Sequence, residues 1–173
     1  MQNHLSRVWF LNHGCKQVPL EYTRDIVRWG HPDGYFLNAR GQKVAHCLSP
    51  CSQKNVGGTH YPVERASGSK PCHLLMALAF YGERPIDPTT GKVCVCHHLI
   101  PDKLDYKPAN LLCWLTRAEH AEADRRQRAL RKVLPDMHIL SYEDHRRLQN
   151  PRYSTREEFE VELQDLRDHV NEC

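Results

Sequence analysis

The sequence predicts an α+β protein with three regions: a β-rich N-terminal region over residues 1–70, a core over 71–134 and a helical C-terminal extension over 135–173. Short apolar runs separated by turn residues fill the first region. A strand–loop–strand–helix pattern dominates the second, and apolar residues at helical spacing mark the third. The length of 173 residues fits one domain, or one domain with a small appendage.

The N-terminal region is predicted to consist of short strands and turns. Residues 34–37 and 43–48 read as two strands of a hairpin, and the turn residues Asn38 and Gly41 lie between them. Residues 8–11 form a further short apolar run. We expect this region to be a supporting or DNA-binding module.

The core region is predicted to begin with a helix over residues 71–81. Pro71 suits a first helical turn, and Gly82 ends the apolar pattern. After a loop, residues 92–98 read as a strand that is rich in Val and Cys. Residues 111–115 read as a second strand, antiparallel to the first.

A helix follows directly after the second predicted strand. Thr116 and Glu119 have the spacing of a capping box, so we expect the helix to start there and to end at about Val133, before Pro135.

Two further helices are predicted in the C-terminal extension, of which the first is short. Ser141 can cap the first, and Ser154 with Glu157 makes a second capping box. One face of the terminal helix is apolar and carries Phe159, Leu163, Leu166 and Val170.

Charge is distributed unevenly along the chain. Residues 1–134 carry 19 Lys and Arg against 11 Asp and Glu, whereas residues 135–173 carry 5 against 10. A polyanion would be attracted to the first part and repelled by the second. The start of the chain is polar and no apolar run is long enough for a bilayer, so we expect a cytoplasmic protein that does not enter membranes.

The residues around the second strand and its helix suggest a metal site. His120 and Asp124 are four residues apart and fall on one face of the predicted helix. His97, near the end of the first strand, can supply a third ligand. Three protein ligands leave positions for water and a phosphate oxygen, as a catalytic metal site requires.

The neighbouring His98 is the candidate general base. Successive strand side chains point to opposite faces, so His98 can face a substrate when His97 faces the helix. A neutral imidazole can deprotonate water near neutral pH. Because strand ends twist, the roles of His97 and His98 could also be exchanged. Asn110 is expected to bridge backbone groups of the intervening loop and hold the strand in place.

The stretch from Cys94 to His120, CVCHHLIPDKLDYKPANLLCWLTRAEH, resembles the HNH endonuclease family, and most of all its phage and intron-encoded homing type. The resemblance implies a ββα-metal nuclease that hydrolyses phosphodiester bonds in DNA. It also implies that His98 is the general base, Asn110 the middle motif residue, His120 the third motif residue and His97 the ligand beside the base. The resemblance covers about residues 70–125.

The sequence departs from that pattern at several positions. Ile100 and Pro101 stand where the homing type usually has Asp-Gly, and the spacing from Asn110 to His120 is one residue longer. Asp124 replaces the His seen in some members. Two imidazoles and a carboxylate leave Mg²⁺, Mn²⁺ and Zn²⁺ open as the cofactor.

Basic residues crowd the helix that carries His120. The candidates for contacts with DNA phosphates are Arg117, Arg125, Arg126 and Arg128.

The chain also has eight cysteines, which predict buried thiols or metal ligands rather than disulfides. The less favoured of these readings is a structural zinc site formed by Cys47, Cys51, Cys94 and Cys96.

Two further functions stay open. The chain could be a zinc-stabilised nucleic-acid-binding module without activity, or a partner-binding protein whose acidic terminal helix is the functional surface. Cleavage of plasmid DNA distinguishes both from a nuclease.

Overall fold

The computed structural model describes residues 4–48, 62–65 and 67–171. These residues form small sheets and five α-helices, in agreement with the predicted α+β class. The chain divides into two compact units. The first comprises Met1–Glu83 with Asp102–Leu111, and the second comprises Arg84–Pro101 with Leu112–Cys173. None of the three junctions between these units coincides with the boundaries predicted after residues 70 and 134.

The first unit contains two antiparallel sheets. The four-stranded sheet consists, in order, of β1 (Lys16–Gln17), β2 (Trp29–His31), β3 (Tyr35–Leu37) and β4 (Lys43–Val44). The three-stranded sheet consists, in order, of β5 (Cys47–Leu48), β6 (Pro62–Glu64) and β7 (Lys70–Pro71). Phe36 pairs with Val44 and Leu37 with Lys43, which confirms the predicted hairpin. The return strand is shorter than predicted, because β5 pairs with β6 in the other sheet.

Helices α1 (Arg7–Asn12) and α2 (Cys72–Tyr81) complete the first unit. The prediction that this part of the N-terminal region forms strands was wrong, since the Ser6 hydroxyl caps α1 by accepting a hydrogen bond from the Trp9 amide. Phe10 of α1 stacks on Trp29 with ring centroids 4.5 Å apart. Helix α2 matches its prediction and buries one side of the unit through Cys72, Leu75, Met76, Ala77 and Leu78.

The second unit contains a two-stranded sheet and three helices. Its elements are β8 (Val95–His98), β9 (Leu111–Leu115), which starts at the boundary between the units, α3 (Arg117–Val133), α4 (Tyr142–Gln149) and α5 (Arg156–Asn171).

Strand β8 begins three residues later than predicted. Val93 forms an isolated antiparallel bridge with Ile86, and the Cys94 amide donates a hydrogen bond to the Pro85 carbonyl over 2.9 Å. The segment before Val95 therefore pairs with the preceding loop.

The helix starts of the second unit follow capping chemistry. Thr116 and Glu119 form the predicted capping box of α3, and Ser141 caps α4 with Asp144 as its partner. The cap of α5 lies one residue later than predicted. The Thr155 amide donates to Glu158, and the Glu158 amide donates back to the Thr155 hydroxyl.

Apolar packing holds α3 against both the sheet and the later helices. Between α3 and the strands lie Leu99, Leu112, Leu115 and Ala123. The core shared by α3, α4 and α5 consists of Ile100, Leu130, Val133, Leu134, Met137, Leu148, Phe159 and Leu163. Among the described helices, none combines the length and apolar character that crossing a bilayer requires.

Candidate metal centre

Three side chains of the second unit converge where β8 meets α3. His97 lies on β8, His120 lies in the first turn of α3, and Asp124 lies one turn further along the same helix face. One ligand atom from each residue lies within 4.8 Å of the other two. The Asp124 carboxylate is central, since Oδ1 lies 3.1 Å from His97 Nδ1 and Oδ2 lies 3.4 Å from His120 Nδ1. The structure therefore brings the three predicted ligands together.

The donor set and its spacing fit a divalent cation. Two ligands held at right angles, each about 2.1 Å from an ion, are themselves about 3.0 Å apart, which is close to the separations observed here. Imidazole nitrogens with one carboxylate suit Zn²⁺ and Mn²⁺ better than Mg²⁺, which prefers oxygen ligands. The His97 side chain is 3% exposed, but His120 and Asp124 are 31% and 39% exposed. One side of the cluster is therefore accessible to additional ligands.

Electrostatics favours the protonation states that metal binding requires. The hydrogen bond from His97 and the nearby positive groups hold the pKa of Asp124 below its usual range, despite partial burial. Burial lowers the pKa of His120, which Asp124 only partly offsets. A carboxylate and a neutral imidazole are the forms that bind metal ions.

His98 follows His97 on β8 and is not one of the three clustered residues. Alternation along a strand directs its side chain to the other face. The residue is half-buried, and its Nε2 atom is shielded from solvent. Its role as general base stays a prediction.

Asn110 is buried in the first unit, at the end of the loop that follows β8. Its amide nitrogen donates a hydrogen bond to the Asp105 carbonyl over 2.8 Å. Asn110 thus bridges loop backbone, as the sequence suggested. Its proposed effect on His98 stays a prediction.

The four candidate arginines occupy different environments. Arg117 and Arg128 are exposed, and the charge of Arg128 helps to lower the pKa of Asp124. Arg125 is partly exposed and is held by ion pairs of 2.8 and 2.7 Å with Glu122 and Glu160. Arg117 and Arg128 are therefore the side chains best placed for a phosphate.

Arg126 is 1% exposed, so its guanidinium is not accessible to DNA, contrary to the prediction. Its guanidinium pairs with Glu122 over 3.1 Å and donates to the Ser154 hydroxyl over 2.9 Å. It also donates to the backbone carbonyls of Leu148, Asn150, Ser154 and Thr155. The helical spacing of the arginines did not reveal that this one faces the interior.

Sequence reasoning missed two glutamines at the site. Gln127 of α3 donates through Nε2 to the carbonyls of His98 and Leu99, over 2.5 and 3.0 Å. Gln149 of α4 places Oε1 2.9 Å from His97 Nε2. Gln127 lies seven residues after His120, so helical periodicity could have indicated it. Gln149 is distant in sequence and carries no local signal.

Among the described residues, the cysteines do not add a second candidate centre. Within residues 4–48, 62–65 and 67–171, the only group of three or more His, Cys, Asp or Glu residues close enough to hold an ion is the one described above. Cys94 and Cys96 are free thiols, and Cys96 Sγ lies 3.1 Å from Cys113 Sγ. Cys47 is also a free thiol, and Cys51 lies outside the described residues. The structural zinc site gains no support here.

No protein-family model, curated protein or solved structure matches this chain. A function must therefore be inferred from the residues of the second unit and their geometry.

Proposed function

We propose that the protein is a metal-dependent DNA endonuclease of the HNH type, with a ββα-metal core formed by β8, β9 and α3. The observation that carries this proposal is the convergence of His97, His120 and Asp124, whose ligand atoms lie within 4.8 Å of one another on a strand and the following helix. A divalent cation held there would stabilise negative charge on a phosphate and on the departing 3′ oxygen.

The remaining steps belong to the side chains of the chain itself. His98 removes a proton from the attacking water, whose oxygen bonds to phosphorus as the bond to the 3′ oxygen breaks. Arg128, exposed one turn beyond Asp124, pairs with a phosphate oxygen of the bound strand, and Arg117 contacts a neighbouring phosphate. The excess of basic residues before residue 135 supports DNA as the partner.

The proposal is tested by incubating supercoiled plasmid with the protein and Mg²⁺, Mn²⁺ or Zn²⁺. The wild-type protein should nick or linearise the plasmid. His98→Ala should lose cleavage and keep its metal affinity, because this residue is outside the ligand cluster. Asp124→Ala should lose both.

Exposed residues of α5 provide matched controls. His169→Ala and Asp165→Ala should cleave like the wild-type protein, since neither side chain belongs to the cluster. Tight metal binding and salt-sensitive DNA binding, without cleavage in any of the three ions, would instead identify a non-catalytic nucleic-acid-binding module. Cleavage that persists in His98→Ala would refute the assigned base.

A further inference from the structure

We propose that Gln149 and His145 of α4 are positioning residues that fix the tautomer of His97, so that Nδ1 is the nitrogen offered to the metal ion. This inference rests on the proposed metal site and assigns a role to a helix outside the strand–strand–helix motif. It follows from a chain of buried hydrogen bonds that runs from the Met137 carbonyl through His145 and Gln149 to His97.

The chain of hydrogen bonds starts at His145, which is fully buried. Its Nε2 atom lies 2.6 Å from the Met137 carbonyl oxygen. A carbonyl can only accept, so Nε2 must carry a proton. Burial lowers the pKa of His145, and a neutral ring with a proton on Nε2 has an acceptor at Nδ1.

The amide of Gln149 is oriented by two acceptors. Its Nε2 lies 2.8 Å from the Leu99 carbonyl oxygen and 3.0 Å from His145 Nδ1. A flipped amide would place Oε1 against both acceptors and lose both hydrogen bonds. Gln149 Oε1 must therefore be the atom that faces His97 Nε2, at 2.9 Å.

An oxygen acceptor at this distance requires a proton on His97 Nε2. The Gln127 amide nitrogen also lies 3.3 Å from that atom. However, this nitrogen lies closer to the carbonyl oxygens of His98 and Leu99, to which we assign its two hydrogens. Gln127 therefore does not compete for the role of donor to His97.

The other ring nitrogen, Nδ1, faces the carboxylate of Asp124, with Oδ1 at 3.1 Å. Nδ1 is therefore the nitrogen left to bind an ion, and a cation there would replace any proton between these two atoms. The hydrogen bonds of α4 thus prepare the cluster for a cation, as outer hydrogen-bond partners of ligating histidines commonly do.

The direct test is an NMR measurement on the full-length protein with ¹⁵N-labelled histidine, with and without Zn²⁺. Long-range correlations between ring protons and ring nitrogens identify which nitrogen is protonated. We expect His97 to have a protonated Nε2 in both states and to bind Zn²⁺ through Nδ1. Binding through Nε2, or a proton confined to Nδ1 in the metal-free protein, would overturn the inference.

Variants of Gln149 test whether the chain of hydrogen bonds through His145 and Gln149, here called the relay, determines the protonation of His97. Gln149→Met removes both the acceptor and the donor at similar size, and should weaken Zn²⁺ affinity by about 10-fold to 100-fold and mix the His97 tautomers. Gln149→Glu keeps an oxygen opposite His97 Nε2 and should restore the Nε2-protonated ring. Gln164→Met, at an exposed position of α5, is the matched control and should have the Zn²⁺ affinity of the wild-type protein.

The outcomes separate this inference from the proposed nuclease. If Zn²⁺ binds through Nδ1 but DNA is not cleaved, the role of the relay is supported and the proposed nuclease activity is refuted. If folded Gln149→Met keeps the Zn²⁺ affinity and the His97 tautomer of the wild-type protein, the role of the relay is refuted. Plasmid cleavage by the same variant would leave the nuclease proposal supported. If Gln149→Met does not fold, the NMR assignment of the protonated and Zn²⁺-binding nitrogens of His97 in the wild-type protein still tests the inference. If the protein does not bind Zn²⁺, both the proposed metal site and the assignment of His97 Nδ1 as a ligand are refuted.

Discussion

Two adjacent histidines on β8 have separate surroundings, although they differ by only one position in the chain. His97 is buried against α3 and α4, where Asp124 and Gln149 contact its two ring nitrogens. His98 is directed to the other face and is attached to α3 through its own carbonyl, which accepts from Gln127. The strand therefore places His97 in the cluster with His120 and Asp124 and leaves His98 outside it.

The burial of Arg126 predicts a structural role that can be measured. Arg126→Met should lower the free energy of unfolding by about 3 kcal/mol, because several buried carbonyls lose their donor and Glu122 loses one cation. Urea denaturation followed by circular dichroism measures the change. The control is Arg128→Met on the exposed face, which should change stability by less than about 0.5 kcal/mol.

The buried His145 predicts a pH dependence of stability. Its pKa in the folded protein is lowered by burial from an ordinary value of 6.5, so the unfolded chain binds the proton more readily. Stability should be unaffected by this group well above pH 6.5. It should fall as the pH drops below that value, by at most about 1.4 kcal/mol per pH unit, until the folded form is also protonated.

Unfolding curves at several values between pH 8 and pH 5 measure this dependence. His145→Gln should show a shallower loss than the wild-type protein, because one buried titrating group has been removed. If the free energy of unfolding falls equally steeply with pH in both proteins, residues other than His145 cause the loss of stability in acid.

Among the elements, α3 shows how the start of a helix determines the site. Its capping box places the first turn directly after β9, and His120 lies in that turn. Thr116→Ala should lower stability by about 1 kcal/mol through loss of the cap. It should also weaken Zn²⁺ binding, since fraying moves His120 relative to His97. Calorimetry measures both quantities.

Ser141→Ala, at the cap of α4, is the matched control for this prediction. It should lower stability by a similar amount, because Ser141 accepts from the Asp144 amide in the same way. Its effect on Zn²⁺ affinity should be smaller, since Ser141 lies at the opposite end of α4 from Gln149, which contacts His97. If both variants weaken Zn²⁺ binding equally, global destabilisation rather than the cap of α3 is responsible.

Elements with strong local signals were predicted well. Helix α3 has the predicted start and end because a capping box and a proline delimit it. The start of α5 was displaced by a contact distant in sequence. Both Ser154 and Thr155 have a glutamate three residues later, but the Ser154 hydroxyl accepts from Arg126, which leaves Thr155 as the cap.

The site was likewise predictable where its residues are close in sequence and unpredictable where they are distant. The spacing of His120 and Asp124 on one helix was sufficient to predict their convergence. Gln149 could not be predicted, because its contact with His97 spans 52 positions and leaves no periodic pattern. Long-range packing also decides which arginine of α3 is buried, so Arg126 could not be distinguished by spacing alone.

At the scale of the whole molecule, charge predicts how the proposed binding of DNA depends on salt concentration. The basic excess of residues 1–134 and the exposed Arg117 and Arg128 support contacts with phosphates. Arg128→Gln should reduce the slope of log affinity against log salt concentration by about 0.9, the value expected for one lost contact with duplex DNA. Fluorescence anisotropy at several salt concentrations measures this slope. Arg167→Gln, on α5, should leave the slope unchanged.

The second unit is discontinuous, because Asp102–Leu111 belongs to the first. Within the first unit, Tyr106 of this segment is buried, and its hydroxyl lies 3.1 Å from His46 Nδ1. A chimaera made with one junction after Glu83 would carry Tyr106 away from the residues that enclose it. Recombination that exchanges the second unit intact needs three junctions, so this fold resists the simple swapping of modules through which many multidomain proteins diversify.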